Sequence, residues 1–141
     1  MYTTTPCPAC GTLNRSDLDR LAQHPRCGSC RQPLDLARPV PVGSDAFDTV
    51  LAGTDVPVLV DFYADWCGPC RIVAPAVEEL ARSRAGSVLV LKVDTDRHPD
   101  VSARFGIRGI PTLIAFRNGK ETGRHVGVAQ RAQLDALVGA S

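Results

Sequence analysis

No block of like charge occurs in this 141-residue chain, where 16 Lys and Arg face 15 Asp and Glu for a net charge of +1. The balance also holds locally, with five Arg against three Asp in residues 1–40 and eleven basic against twelve acidic residues thereafter. Nothing here advertises a nucleic-acid or membrane-surface partner. Long apolar runs are missing too: "VLVLKV" (88–93) is far too short to span a bilayer. The start, "MYTTTPCPACG", lacks the basic and apolar regions of an export signal. The expected address is therefore the cytoplasm. A reducing compartment makes metal binding or catalysis the leading uses for the six cysteines. With 44% hydrophobic and 22% charged residues, the composition is that of a globular chain of one ordinary domain plus a small appendage.

Large apolar side chains are scarce in residues 1–38, where only Tyr2, Leu13, Leu18, Leu21, Leu34 and Leu36 qualify. They cannot build a core, and segments of fewer than about 40 residues usually need a staple. Cys7, Cys10, Cys27 and Cys30 supply one: C-x2-C-x16-C-x2-C fits a four-thiolate zinc site. Each short turn offers two sulfurs to a common centre, with Gly11 and Gly28 providing pliable backbone beside them. Disulfides among the four, or a second redox centre at "CGSC", are the competing readings. His24 reads as a surface histidine, because four thiolates already fill a tetrahedron. Metal binding would then be the folding energy of this module, so a chelator is expected to unfold residues 1–38 and leave the rest intact.

"LARPVPVGSDAF" (36–47) breaks helix and favours an extended path, placing a boundary at residues 38–40 and dividing the chain into 1–38 and 39–141. Beyond it, Ser44 is a candidate N-cap for a short helix. "VPVLVDFYA" and "SVLVLKVD" read as buried strands. Cys67 to about Ser83 has helical apolar spacing, with Pro75 expected to kink it. "DRHPDVSARFG" reads as a helix with Pro99 in its first turn and Gly106 at its end. "PTLIAF" and "ETGRHVGV" flank the hairpin signal Asn118-Gly119, and a last helix carries Leu134, Leu137 and Val138. The order β-α-β-α-β-β-α implies an α/β fold with a mixed, mostly parallel sheet flanked by helices.

The third pair, in "WCGPC" (66–70), differs from the others in position: it follows a buried strand and opens a helix. Backbone N–H groups and the positive helix end favour a thiolate at Cys67. Cys67, expected to be exposed, can attack a substrate disulfide, and Cys70 can then resolve the mixed disulfide. Asp61, in mid-strand, is either a satisfied hydrogen-bonding group or a carboxylate of raised pKa suited to proton transfer.

"VDFYADWCGPCR", "FGIRGIPTLIAFRNGK" and "VGV" resemble the thioredoxin family, in family order, over residues 40–139. The cysteine module narrows the resemblance to the thioredoxin 2 type, with two extra Cys-x-x-Cys pairs ahead of the redox domain. Tyr63 and Arg71 stand where the commonest string has tryptophan and lysine; neither touches the thiols. The resemblance implies a thioredoxin fold behind a zinc-ribbon-like module. It implies a monomeric cytoplasmic protein disulfide reductase holding one structural zinc and no organic cofactor, since NADPH and FAD belong to its partner, thioredoxin reductase. Clients such as ribonucleotide reductase, peroxiredoxins and methionine sulfoxide reductases are implied likewise. It makes Asp61 the proton relay for Cys70, with Lys92 its neighbour, and Pro111 a cis-proline whose preceding residue, Ile110, pairs with a client chain. Trp66, Gly68, Pro69, Gly109, Val126 and Gly127 complete an apolar docking face; for Trp66, core packing is the rival reading. Two other functions keep the same residues: a disulfide oxidase or isomerase, which the Gly68-Pro69 dipeptide disfavours, or a zinc-ribbon interaction module with a structural second domain.

Overall fold

A computed structural model describes residues 1–139; the last two residues of the expected second domain lie outside the described residues. β1 (Tyr2–Pro6) and β2 (Leu13–Asp17) form an antiparallel ribbon that the sequence did not announce. Asp17 caps the following 3-10 turn (Leu18–Gln23) by accepting from the Asp19 N–H at 3.0 Å. The rest is β3 (Val40–Pro41), α1 (Phe47–Ala52), β4 (Val58–Tyr63), α2 (Gly68–Ser83), β5 (Leu89–Asp94), α3 (Pro99–Arg104), β6 (Thr112–Arg117), β7 (Lys120–Val126) and α4 (Arg131–Val138).

The five-stranded sheet runs β3-β5-β4-β6-β7, parallel across β3-β5-β4 and antiparallel on both sides of β6. β6 alone opposes the other four, so the sheet is mixed, as expected. Asn118 and Gly119 turn the β6-β7 hairpin with φ of +54° and +77°, the pair of positive values that a tight I′ turn needs.

Alternation along β4 and β5 sorts side chains between two cores. Val58, Val60 and Phe62, with Leu89, Leu91 and Val93, pack on the side of α1. Leu59 and Val90 pack against Val73, Val77 and Leu80 of α2 and Leu134 of α4. The same pleat turns Asp61 and Lys92 toward α2, where a fully apolar strand would have presented valines. Burial therefore fixes the register of the two strands, and the register places Asp61 opposite Lys92.

One local expectation is corrected. Ser44 does not cap α1: the helix starts at Phe47 after Ala46, which makes no side-chain cap, while the Ser44 hydroxyl bonds Asp100 and His98. Residues 1–38 contribute Leu18 and Leu36 to the α1-side core. Thr3 Oγ1 meets Thr54 Oγ1 at 3.0 Å, and the Tyr2 N–H donates to Asp55 at 2.8 Å. The ribbon thus seats Tyr2, Thr3 and Thr4 against the loop that follows α1, a long-range pairing with no local signature, while the buried Thr5 hydroxyl has no partner among the described residues.

Candidate active site and metal centre

Ala64, Asp65 and Trp66 carry the chain from the end of β4 to α2, and Cys67 is itself the N-cap of that helix. Its backbone is extended (φ −85°, ψ 113°), and Cys67 Sγ accepts from the Cys70 N–H at 3.2 Å. A cap normally uses oxygen for this bond; here a sulfur takes the place, where N–H groups and the helix dipole favour negative charge. Pro69 in the first turn loses no intrahelical bond, and α2 continues through Pro75 as one helix. Cys67 and Cys70 form a disulfide with Cα atoms 5.3 Å apart.

Cys67 is only 3% exposed, against the expectation of an open nucleophile. Ile110 packs against the disulfide, and so does Tyr63, which corrects the expectation that it stays clear of the thiols; Cys67 Sγ lies 3.7 Å from the Ile110 carbonyl oxygen. The Ile110–Pro111 bond is cis. Around it, the Gly127 N–H donates to the Pro111 carbonyl at 2.7 Å, and Thr112 pairs with Val126. A Cβ on Gly109 would stand 3.4 Å from Val126 Cγ1, so Gly109 and Val126 are neighbours on this face. Gly68 and Pro69 are exposed at the start of α2. Trp66 is 69% and Val126 61% exposed, which removes core packing as the role of the tryptophan. Its indole N–H donates to Asp96 at 2.8 Å, holding the ring on the surface by a residue that sequence reasoning missed.

Behind the disulfide, Asp61, Cys70 and Lys92 line one cleft of about 260 Å³. Asp61 is buried, and its Oδ1 has no hydrogen-bond partner among the described residues, contrary to the reading of a fully satisfied carboxylate. Desolvation pushes its pKa up to about 7, against the opposing pull of Lys92. The Lys92 ammonium lies 5.3 Å from the centre of the Tyr63 ring, the position where the family's commonest string has tryptophan. A buried carboxyl that titrates near neutrality beside a cysteine can accept and return a proton at working pH.

The other four cysteines converge as their spacing required. Their Sγ atoms all lie within 4.8 Å of one another, with Cys7 to Cys30 and Cys10 to Cys27 at 3.6 Å. Sulfurs at the corners of a zinc tetrahedron with bonds of about 2.3 Å are about 3.8 Å apart, so the donor set fits the ion. The two turns are near copies. Cys7 and Cys27 donate N–H to Thr12 and Gln32 carbonyls, accept at their own carbonyls from Gly11 and Arg31, and accept at sulfur from Ala9 and Ser29. The left-handed residue after each pair is Gly11 (φ +80°) in one and Arg31 (φ +69°) in the other. The expected role of Gly28 is thus corrected, since the conformation falls one residue after the pair and an arginine adopts it. His24 is exposed and outside the cluster.

Asn14, which no local pattern singles out, bridges the turns: its amide donates to Cys27 Sγ at 3.4 Å and its oxygen accepts from the Gly28 N–H at 2.9 Å. The Cys30 N–H and Asn14 hold the Cys27 thiol down to about 6. Although the Gln32 N–H favours its thiolate, Cys30 is pushed up to about 12 by desolvation and the neighbouring sulfurs. Four sulfurs this close cannot all ionise alone; a dication at their centre would remove that conflict.

Residues 38–140 match the Thioredoxin family model, and residues 6–32 match the model described as Thioredoxin 2, N-terminal. The chain belongs to the thioredoxin family. Thioredoxins are protein-disulfide oxidoreductases, and Cys67–Cys70 occupies the redox-active position of this one. Thioredoxin C-3 of Corynebacterium nephridii is 37% identical over 128 residues, covering 91% of this chain and 88% of that protein, so the likeness reaches into the cysteine module. Thioredoxin 1 of Nostoc sp. is 46% identical over 93 residues, 66% of this chain and 87% of that one. Among solved structures, a point mutant of thioredoxin from Halobacterium salinarum NRC-1 is similar, with a TM-score of 0.67 and 37% identity over 74% of this chain and 91% of that one. No described helix is long and apolar enough to cross a membrane.

Proposed function

We propose that this thioredoxin works in the reducing direction, with Cys67 as nucleophile, Cys70 as resolver and Asp61 as proton acceptor. The Cys67 thiolate attacks one sulfur of a client disulfide, forms a mixed disulfide and expels the other client sulfur as a thiolate, which takes a proton from solvent. Asp61 accepts the Cys70 proton. The Cys70 thiolate then attacks Cys67 Sγ, breaking the mixed disulfide and releasing the second client sulfur. The client gains two electrons and the protein is left with the Cys67–Cys70 disulfide. The observation that carries this reading is the unpaired, buried Asp61 carboxyl lining the same cleft as Cys70.

The buried Cys67 is reached edge-on, with Trp66, Gly68, Pro69, Gly109, Ile110, Pro111, Val126 and Gly127 forming the docking face. An extended client chain pairing with the Ile110 backbone would lay its disulfide over Cys67, and such main-chain pairing tolerates many sequences. Lys92 is the register partner of Asp61 and moderates its proton affinity. Thioredoxin reductase, carrying NADPH and FAD, restores the dithiol; ribonucleotide reductase, peroxiredoxins and methionine sulfoxide reductases are suitable clients. No nucleic-acid or membrane partner and no oligomer enters this reading, which places the protein in the cytoplasm as a monomer.

Cys7, Cys10, Cys27 and Cys30 would hold one zinc ion, whose charge stabilises four thiolates and joins the two turns. We assign residues 1–38 to this module and 39–141 to the redox domain. The test is a pair of variants on an insulin-type disulfide substrate: Cys70→Ser should accumulate a mixed disulfide through Cys67, and Cys67→Ser should neither trap nor reduce. Trapping by Cys67→Ser instead would reverse the roles. A reduction potential near or above about −180 mV, where isomerases operate, would defeat the reducing direction.

A further inference from the structure

The register of β4 and β5 sets Asp61 opposite Lys92 and Tyr63 opposite Asp94, four titratable residues on one side of the sheet. Opposite charges set side by side in a buried cleft attract strongly. Asp61 and Lys92 nevertheless stay apart: no ion pair joins them among the described residues, and Asp61 Oδ1 has no hydrogen-bond partner there. The Lys92 ammonium stands instead over the Tyr63 ring, on the diagonal of the square, 5.3 Å from the ring centre. Asp94, at the fourth corner, is already engaged. Its carboxylate accepts from the Asp96 N–H at 2.9 Å and the Arg97 N–H at 3.4 Å, and it lies 3.7 Å from the Arg97 guanidinium.

The ring has little freedom, because Tyr63 packs against the disulfide. Tyr63 and Lys92 together line two clefts, the one of Asp61 and Cys70 and a second of about 310 Å³ that holds Asp94, Arg97 and His98. Besides this pair and Cys70, the titratable groups around Asp61 are Asp65 from the loop, Arg38 ahead of β3, and Arg71 and Glu78 of α2. Arg71 is engaged through Nη2 with the Asp65 carbonyl at 2.6 Å. Burial raises the Asp61 carboxyl, and Lys92 is the charge that opposes it. Burial, and after it Asp94, raises the Tyr63 phenol too, so the ring carries no charge near neutrality. The place of one ammonium therefore decides how strongly Asp61 holds its proton.

We propose that Tyr63 is a positioning residue for the proton relay: the face of its ring draws the Lys92 ammonium away from Asp61, which leaves the carboxyl unpaired and free to take the Cys70 proton. An ion pair with Lys92 would make Asp61 a weaker base, and Cys70 would give up its proton more slowly. The ring performs this task and the hydroxyl does not. The inference rests on Asp61 being the relay.

The experiment follows the Asp61 carboxyl carbon by NMR as a function of pH in the full, reduced chain. Tyr63→Leu should lower its midpoint by about 1 pH unit, tenfold in proton affinity, as expected when an opposite charge closes on a carboxylate. Tyr63→Phe keeps the ring face and should keep the wild-type value. The Lys92 ε-protons should show a ring-current displacement in the wild type and in Tyr63→Phe that Tyr63→Leu abolishes. Water entering beside a smaller side chain would also lower the midpoint, so the same substitution is made in a Lys92→Met background, where it should leave the midpoint in place. A fall more than half as large in that background overturns the proposal, as does a midpoint that Tyr63→Leu fails to lower when Lys92 is present. The lower pH limb of the Cys70 resolving rate should follow the midpoint. Asp61→Asn separates the two assignments: if that limb persists near neutrality in this variant, the relay reading fails, whatever the midpoints show for Tyr63.

Discussion

Replacing Asp61 by asparagine should stabilise the oxidised protein at alkaline pH and have little effect at pH 4. The carboxyl is raised from an ordinary value near 3.8 to about 7 by burial. Below about pH 4 it is protonated in both folded and unfolded chains and contributes no pH-dependent difference. Between about 4 and 7 the unfolded chain releases the proton and the folded chain keeps it, so stability falls as pH rises. Above about 7 both are ionised, and the whole penalty of a buried charge is present. At about 1.4 kcal/mol per pH unit the shift corresponds to about 4 kcal/mol, an upper bound because water can enter the cleft. The asparagine side chain would fill the same volume without the charge and would leave the Oδ1 position polar and neutral, so a gain of about 2 to 4 kcal/mol is expected at pH 8.5. Urea unfolding of both proteins from pH 4 to 9 tests this, since other titrating groups cancel in the difference. A difference that stays flat with pH, or a wild-type protein that gains on Asp61→Asn as pH rises, would refute the burial argument.

The fixed indole predicts that Trp66→Ala raises KM for protein disulfides several-fold while the folded chain loses under about 1 kcal/mol, because 69% exposure leaves little packing to lose; steady-state reduction and urea unfolding separate the two effects. Asn14→Ala should weaken zinc binding by about 10- to 100-fold, read by competition with a chromogenic chelator, because it removes the donor to Cys27 and the acceptor for the Gly28 N–H. Gly53→Ala should destabilise the ribbon by about 1 to 3 kcal/mol, because the new methyl collides with the Thr4 side chain; hydrogen exchange at Thr3, Thr4 and Thr5 reports it, and unchanged exchange would mean that the ribbon is not seated as described.

The residues that carried their own reasons were readable in advance. A strand of Val58, Leu59, Val60 and Phe62 with an acid in its middle announces a buried strand with a charged exception, and the cysteine pair at its end announces a helix start. Asn118-Gly119 required a hairpin whatever the fold. What escaped depended on partners far along the chain. Thr3 and Thr4 of β1 show no apolar pattern, and their hydroxyls reach Thr54 and the Gly53 carbonyl. Arg31 takes a left-handed conformation that composition would assign to glycine, because the hydrogen bonds of its turn impose it. Asn14 and Asp96 matter only for what they reach, and no local spacing encodes reach. The burial of Cys67 was missed for the same reason, since Ile110, 43 residues further on, covers it.

Leu18 and Leu36 give the module a meaning that its cysteine spacing alone would not suggest. Excised at residue 39, the redox domain would leave two leucine-sized vacancies on its α1 face, each worth about 1.5 to 3 kcal/mol of lost burial. The packing therefore runs across the seam between the two family matches. Transplanting this cysteine module onto another thioredoxin would require carrying its recess along with it.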